Sequence, residues 1–216
     1  MLKKSFLTGT VVLIIVSFIT ISWADELLLV KLPPPNLNSG KSLMQSLQVR
    51  KSSRDFSTKK LPVEVLSNLF WAANGINRPE SGRRTAPSAV NWQEIDVYVA
   101  MADGLYLYNA KEHVLKPVIK QDMRELTGKQ PFVKEAPLNL IYVADYSKMG
   151  GGSAEERNFY SAADAAFIAQ NVYLYCASEG LATVVRGSID KDALAKAMQL
   201  RNNQRIILSQ TVGYPK

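Results

Sequence analysis

The stretch that most constrains this chain is residues 153–180, S-A-E-E-R-N-F-Y-S-A-A-D-A-A-F-I-A-Q-N-V-Y-L-Y-C-A-S-E-G. Ser153 followed three residues later by Glu156 has the form of a capping box, in which each side chain satisfies the other residue's backbone N–H. Gly180 supplies the left-handed residue that commonly ends a helix. Between Ala162 and Ala177 the clearly polar positions are Asp164, Gln170 and Asn171. A helix that is apolar nearly all round is buried on every side. At about 1.5 Å per residue it spans roughly 40 Å, too long to hide inside one small domain. Ala162, Ala163, Ala165, Ala166 and Ala169 allow other backbones to come close. The stretch therefore predicts a central helix packed by its own sheet on one side and by a second subunit on the other. A membrane span is the competing reading, but the apolar run is short and interrupted by those polar residues, which argues against it.

A chain of 216 residues can build one domain with a sizeable core, or at most two small ones. The formal charge of +7 is spread along the chain in no long run, which favours anionic ligands and argues against a nucleic-acid-binding arm. The one cysteine, Cys176, lies in the apolar helix; it cannot close an intrachain disulfide and reads as a small core group.

Lys3 and Lys4 precede an apolar run over residues 11–21, and Ser22-Trp23-Ala24 offers small residues at the two positions a signal peptidase reads. Without a twin-arginine pair, residues 1–24 predict an export signal of the general secretory route and a periplasmic or secreted domain. An uncleaved membrane anchor is the alternative, with membrane contact confined to that segment. Cleavage would remove two lysines and no acids, taking the formal charge from +7 to +5.

Residues 25–41, with Pro33-Pro34-Pro35 and then Asn36, Asn38, Ser39 and Gly40, read as an extended linker into a domain over 42–216. Helical patterns cover 42–49 and a run opened by Pro62 with Leu66, Leu69, Phe70 and Ala73 on one face and Gly75 at its end. Residues 77–84 read as a polar loop. Residues 95–101 alternate as a strand, Ala102-Asp103-Gly104 turns the chain, and 105–108 return as a hairpin arm. A short helix is expected over 121–127 and a buried strand over 138–144. After the long helix come a strand at 182–185, a helix at 192–200 and a strand at 205–208. This order predicts an α+β domain with a mixed sheet and helices around it.

Three segments could carry chemistry. Arg50-Lys51-Ser52-Ser53-Arg54 places two guanidinium groups four residues apart with hydroxyls between, able to converge on one phosphate; a solvated basic turn explains the same run. In R-R-T-A-P-S-A-V-N-W-Q, Pro87 and Ser88 make a turn, and Asn91 and Gln93 offer amides suited to the polar edge of a heterocycle; a plain polar loop is the alternative. Val184-Val185-Arg186-Gly187-Ser188 ends a strand on a glycine that permits close backbone approach, or is a simple strand-to-helix turn. A histidine triad or metal site would have to be built on His113 alone and is not expected.

Taken in order, six pieces resemble the nitroreductase-like flavoprotein family across residues 50–215: R-K-S-S-R-D-F; L-P-V-E-V-L-S-N-L-F-W-A-A-N-G-I-N; R-R-T-A-P-S-A; G-L-Y-L-Y-N; D-A-A-F-I-A-Q-N-V-Y-L-Y-C-A-S-E-G-L; and V-G-Y-P. Leu105-Tyr106-Leu107-Tyr108 after R-R-T-A-P-S is most similar to the subgroup that includes azoline-forming dehydrogenases. The resemblance implies an α+β sandwich that forms an intertwined homodimer about the long helix, with FMN in two sites at the interface. It assigns Arg50, Ser52 and Arg54 to the FMN phosphate and ribityl chain. Pro87, Ser88 and Asn91 would belong to the loop reaching the flavin from the partner, and Arg186 and Gly187 to the backbone beside the isoalloxazine. Lys216 is the cation available where family members place a Lys or Arg on the phosphate, provided the terminus folds back. The implied reaction is ping-pong: hydride passes from NADH or NADPH to flavin N5, then on to a small organic acceptor such as a nitro compound or quinone. No side-chain acid or base is obligatory. A catalytically silent flavin- or anion-binding envelope protein and a flavin-free interaction module remain the alternatives.

Overall fold

Alternating faces organise the molecule. In this computed structural model, which describes residues 26–216, strand β4 (Ile95–Met101) points Val97 and Val99 to one side and Tyr98 and Ala100 to the other, and all four are buried. β7 (Leu138–Asp145) does the same, with Leu140 and Tyr142 on the first face and Ile141 and Val143 on the second. A strand buried on both faces has no need to alternate apolar with polar, and β7 is buried along its whole length. The expected export signal over residues 1–24 lies outside the described residues.

The strands form a seven-stranded sheet in the order β1-β6-β5-β4-β7-β9-β8. Its other members are β1 (Val30–Lys31), β5 (Gly104–Asn109), β6 (Val114–Ile119), β8 (Ala182–Arg186) and β9 (Gln204–Gly213). A two-stranded hairpin of β2 (Ile76–Arg78) and β3 (Arg83–Arg84) stands apart, within what the sequence suggested was only a loop. Every pairing is antiparallel, so the expected mixed sheet is corrected. β7 and β8 do run the same way, but β9 inserts between them and bonds to both, which leaves no parallel contact.

The first face of the sheet receives α2 (Val63–Asn74) and α4 (Ala154–Glu179), through Leu69, Phe70, Ile168, Val172 and Cys176. The second face is covered by α5 (Lys191–Ala197) and by the 3-10 turn Arg124–Thr127, through Leu194 and Met123. α1 (Leu43–Val49) lies against α4, and the four-residue α3 (Phe132–Glu135) precedes β7.

α4 ends where its local chemistry dictates. Ser153 Oγ accepts from the Glu156 N–H at 3.1 Å, Glu156 Oε2 accepts from the Ser153 N–H at 2.8 Å, and Gly180 closes the helix at φ 71. Only one face of α4 is buried within the chain. Phe159, Ala162, Ala166, Phe167 and Gln170 remain exposed on the other. Among the described residues no helix is long and apolar enough to cross a membrane.

Residues 26–41 are fastened to the domain. β1 pairs with β6, Leu32 enters the core, and the Asn36 N–H donates to Asn68 Oδ1 at 2.8 Å. Ser67 Oγ donates to Pro33 O at 2.5 Å and meets His113 Nε2 at 2.7 Å, while Tyr108 OH meets His113 Nδ1 at 3.0 Å. These bonds tie the fully buried Ser67 of α2 and His113 to the proline segment. Lys41 Nζ donates to Ser178 O at 2.9 Å, placing a cation at the C-terminal end of α4, where the helix dipole favours it.

The sheet and α4 are also tied by a buried polar chain. Tyr142 OH donates to Gln210 Oε1 at 2.6 Å, and Gln210 Nε2 donates to Ala169 O at 3.3 Å and to Thr183 Oγ1 at 3.0 Å. Tyr142→Phe strands the buried Gln210 acceptor, so it should cost about 1–3 kcal/mol of stability in a urea melt, well above what loss of an exposed hydroxyl would do.

Candidate functional site

Arg50 ends α1, and its guanidinium stacks 5.3 Å from the centre of the Tyr173 ring on α4. Tyr173 OH accepts the Val185 N–H at 3.0 Å and meets Ser52 Oγ at 2.8 Å. Tyr173 thereby links Ser52 to the backbone of β8, and either hydroxyl can be the donor between them. The Ser53 N–H donates to Thr183 O at 2.9 Å, so the segment runs along the free edge of β8, the last strand of the sheet.

The C-terminal segment turns back to the same edge. Pro215 bridges Phe56, and the Ser57 N–H donates to Tyr214 O at 2.9 Å, which sets Lys216 beside the 54–56 backbone. Among the described residues Arg54 and Lys216 are exposed and engage no internal acid. Gly187, just past β8, is exposed too; a Cβ there would meet only Leu208, at 3.9 Å, so the space above its backbone is open.

Arg186 behaves differently. Its side chain turns inward to the second face of β8, 6 % exposed, and packs 5.5 Å over the Phe132 ring. It donates to Ser209 Oγ at 2.9 Å, Thr127 O at 3.2 Å, Asn139 Oδ1 at 3.2 Å and Thr211 Oγ1. All these partners are neutral, and burial draws its pKa down to about 10. The guanidinium is thus used inside the fold, and only the main chain of Arg186 can meet a ligand alongside Gly187.

The second predicted segment sits elsewhere on α4. Ser88 Oγ accepts the Gln93 N–H at 2.9 Å, Asn91 Oδ1 accepts from Gln93 Nε2 at 3.1 Å, and Arg84 Nε donates to Gln93 Oε1 at 2.8 Å. Val90, Asn91 and Gln93 all adopt left-handed backbone, at φ 51, 58 and 50. Such conformations persist only where surrounding contacts over-determine them, especially at a β-branched residue. The anchor from the body is Asp164, whose Oδ2 accepts the Ala89 N–H at 2.9 Å. Pro87 and Ser88 line a cavity of about 10 Å³ with Asp164 and Arg84. Asp164 and Tyr173 are about 13 Å apart along the helix at 1.5 Å per residue. Within one chain, Arg50, Ser52, Arg54, Gly187 and Lys216 thus belong to the β8 edge, and Pro87, Ser88 and Asn91 to a separate loop held at the Asp164 end of α4. A groove of about 520 Å³ between α1, α2 and α4 contains none of these residues.

Sequence reasoning missed Tyr173 as the pivot of the first cluster and Glu94 beneath the second. Glu94, immediately before β4, is fully buried next to Ser161 and Asp164, and no hydrogen bond of ordinary geometry reaches either of its carboxylate oxygens. Burial, and then the neighbouring Asp164 charge, push its pKa up from 4.5 to about 6; burial raises Asp164 as well. The signal was Asp164 itself, a carboxylate in an apolar run, but its partner is remote in sequence.

Because the folded-state pKa of Glu94 exceeds its unfolded value, its stabilising contribution is full below pH 4.5 and is lost as pH rises through about 6. Glu94→Gln removes that loss. The variant should gain on the wild type between pH 4.5 and 7, by about 1 kcal/mol or roughly 2–4 °C in Tm. Thermal melts of both proteins across that range check it, and a Tm difference independent of pH would contradict it.

The chain's fold is shared with known proteins. The profile of the Nitroreductase family matches residues 47–214. A crystal structure from Ralstonia eutropha JMP134, described as a nitroreductase, superposes with a TM-score of 0.83 at 45 % identity, over 87 % of this chain and 90 % of that one. A Methanocaldococcus jannaschii protein, also described as a nitroreductase, is 27 % identical over 74 % of this chain and 85 % of its own length. The NADPH:FMN oxidoreductase of Vibrio harveyi, solved with NAD+, shares the fold at a TM-score of 0.62 and 17 % identity, over 81 % of this chain and 69 % of that one. With that profile covering most of the chain, the chain belongs to the nitroreductase family.

Proposed function

We propose that this protein is an exported, homodimeric, FMN-dependent oxidoreductase that takes electrons from NADH or NADPH and delivers them to a small organic acceptor such as a nitro compound or a quinone. The observation that carries the reading is the β8 edge, where Ser52, the exposed Arg54 and Lys216 lie along one segment and, among the described residues, the two cations engage no internal acid. Such a donor set fits a phosphate dianion, which needs charge-assisted bonds from a fixed edge. The name of the Vibrio harveyi relative, an NADPH:FMN oxidoreductase, supports FMN and a reduced nicotinamide.

Bound FMN supplies hydride acceptance and donation at its N5. The chain's part is to bind and orient. Arg54 and Lys216 neutralise the phosphate, Ser52 donates to it, and Arg50 is held over Tyr173 at the same edge. Gly187 and the main chain of Arg186 let the ring system approach the backbone closely. Pro87, Ser88 and Asn91 close the site from the second copy. The exposed apolar face of α4, with Phe159, Ala162, Ala166 and Phe167, supports a second copy packed along that helix.

Purified protein should be yellow, with an FMN spectrum that bleaches on anaerobic addition of NADH or NADPH and recovers on adding a quinone or nitroaromatic. Arg54→Ala should weaken FMN affinity at least tenfold, about the 1.4 kcal/mol of a single charge-assisted bond, without changing the mass measured by light scattering. Colourless protein that cannot be reconstituted with FMN would overturn the reading, and an unchanged FMN affinity in the variant would remove Arg54 from the site.

A further inference from the structure

The Glu94–Asp164 contact has no place in the flavin chemistry, yet it lies directly under the loop proposed to close the site. Two carboxylic side chains from separate parts of the fold meet out of reach of water: Glu94 is 0 % exposed and Asp164 2 %. Two adjacent carboxylates in a low-dielectric interior resist ionising together, so such a pair retains one proton. With that proton on Glu94, its hydroxyl can donate to Asp164, and Asp164 keeps a negative Oδ2 for the Ala89 N–H. That bond starts the run in which Val90, Asn91 and Gln93 are held left-handed.

The groups facing the pair explain why nothing else absorbs its charge. From β3, Arg84 borders the same small cavity, but it donates to Gln93 Oε1 at 2.8 Å and Asn74 O at 3.0 Å, and burial lowers its pKa. From the turn after β7, Tyr146 faces Glu94 and donates its hydroxyl to Asn158. α4 adds the neutral Ser161, and α2 the neutral Asn74.

We propose that Glu94 and Asp164 act as a single proton-holding pair that positions the 87–93 loop, firm when the pair carries its proton and loose once the proton is gone. Losing the proton places two like charges in contact inside the fold. The strain is relieved by pulling Asp164 off the Ala89 N–H, which removes the loop's backbone anchor on α4 and leaves it tied through Arg84, Gln93 and the Trp92–Tyr160 ring contact. Both are positioning residues, acting on a ligand only through the loop. The effect on flavin rests on the function proposed above; the effect on the loop does not.

Trp92 reports on the loop directly, because its ring meets the Tyr160 ring of α4 edge-on at 5.8 Å. In the purified protein without added flavin, Trp92 emission should titrate with a midpoint near pH 6, a transition missing from Trp92→Phe and from Glu94→Gln. In FMN titrations the wild type should bind roughly five- to tenfold more weakly at pH 8 than at pH 5, relative to Glu94→Gln over the same range. The FMN phosphate titrates in that window too, but it affects both proteins alike, so the ratio is the readout. Asp164→Ala should bind FMN weakly at every pH. An emission transition that persists in Glu94→Gln, or its absence from the wild type, overturns the inference whatever the flavin result. A transition lost in Glu94→Gln together with no FMN binding upholds the pair and overturns the flavin function instead.

Discussion

Everything at the candidate site hangs on the rigid span of α4. Its buried face docks on the sheet through Ile168, Val172 and Cys176, and the Gln210 side chain bonds its backbone at Ala169. The register of the helix against the strands is thereby fixed. It follows that Tyr173, which organises the β8 edge, and Asp164, which holds the 87–93 loop, are kept at a set separation of about 13 Å. No side-chain adjustment can bring two such anchors together in one chain. The β8 edge and the 87–93 loop are therefore two separate features of one protomer, held apart by the helix they share.

The buried ionisable groups sort by how the fold supports them. Arg186 is a charge in the interior surrounded by neutral acceptors: two threonines, an asparagine and a serine. A buried cation without an anion survives when enough dipoles point at it, and this one ties β8 and β9 to the turn before α3. Asp145 has the opposite arrangement. Ser147 and Arg201 bond its carboxylate and hold its pKa low despite burial. Glu94 has neither solution. It is the one of these groups whose pKa is pushed up, to about 6, which marks it as a group able to change state near neutral pH.

How much of this was legible from the residues depended on how local each determinant is. Both ends of α4 could be read closely, because the capping box and the terminal glycine act within one turn. The β4–β5 hairpin was visible for the same reason, with its turn at Ala102-Asp103-Gly104. β6 was not: Lys116 and Pro117 break its apolar pattern, and its place is set by pairing with β5 and with the remote β1. The sheet's handed order misled for a related reason, since the helix between β7 and β8 looks like a parallel crossover until β9, last in the chain, fills the gap. Motif spacing brought Arg50, Ser52 and Arg54 to attention, but nothing local announces that Tyr173 orients Ser52 or that Lys216 returns to Phe56. Nor could spacing reveal that the Arg186 side chain faces away from its own glycine neighbour.

The strained loop and the open edge are complementary economies. A cation-rich edge costs little to maintain because water solvates the exposed Arg54 and Lys216. A loop with three left-handed residues costs free energy in every molecule, bound or not, and is kept only because Asp164, Ser88 and Arg84 hold it. Holding the loop preformed spares a ligand the entropy of ordering it. The protein thus spends stability at the 87–93 loop and conserves it at the β8 edge, a division that makes sense where the edge supplies affinity and the loop supplies shape.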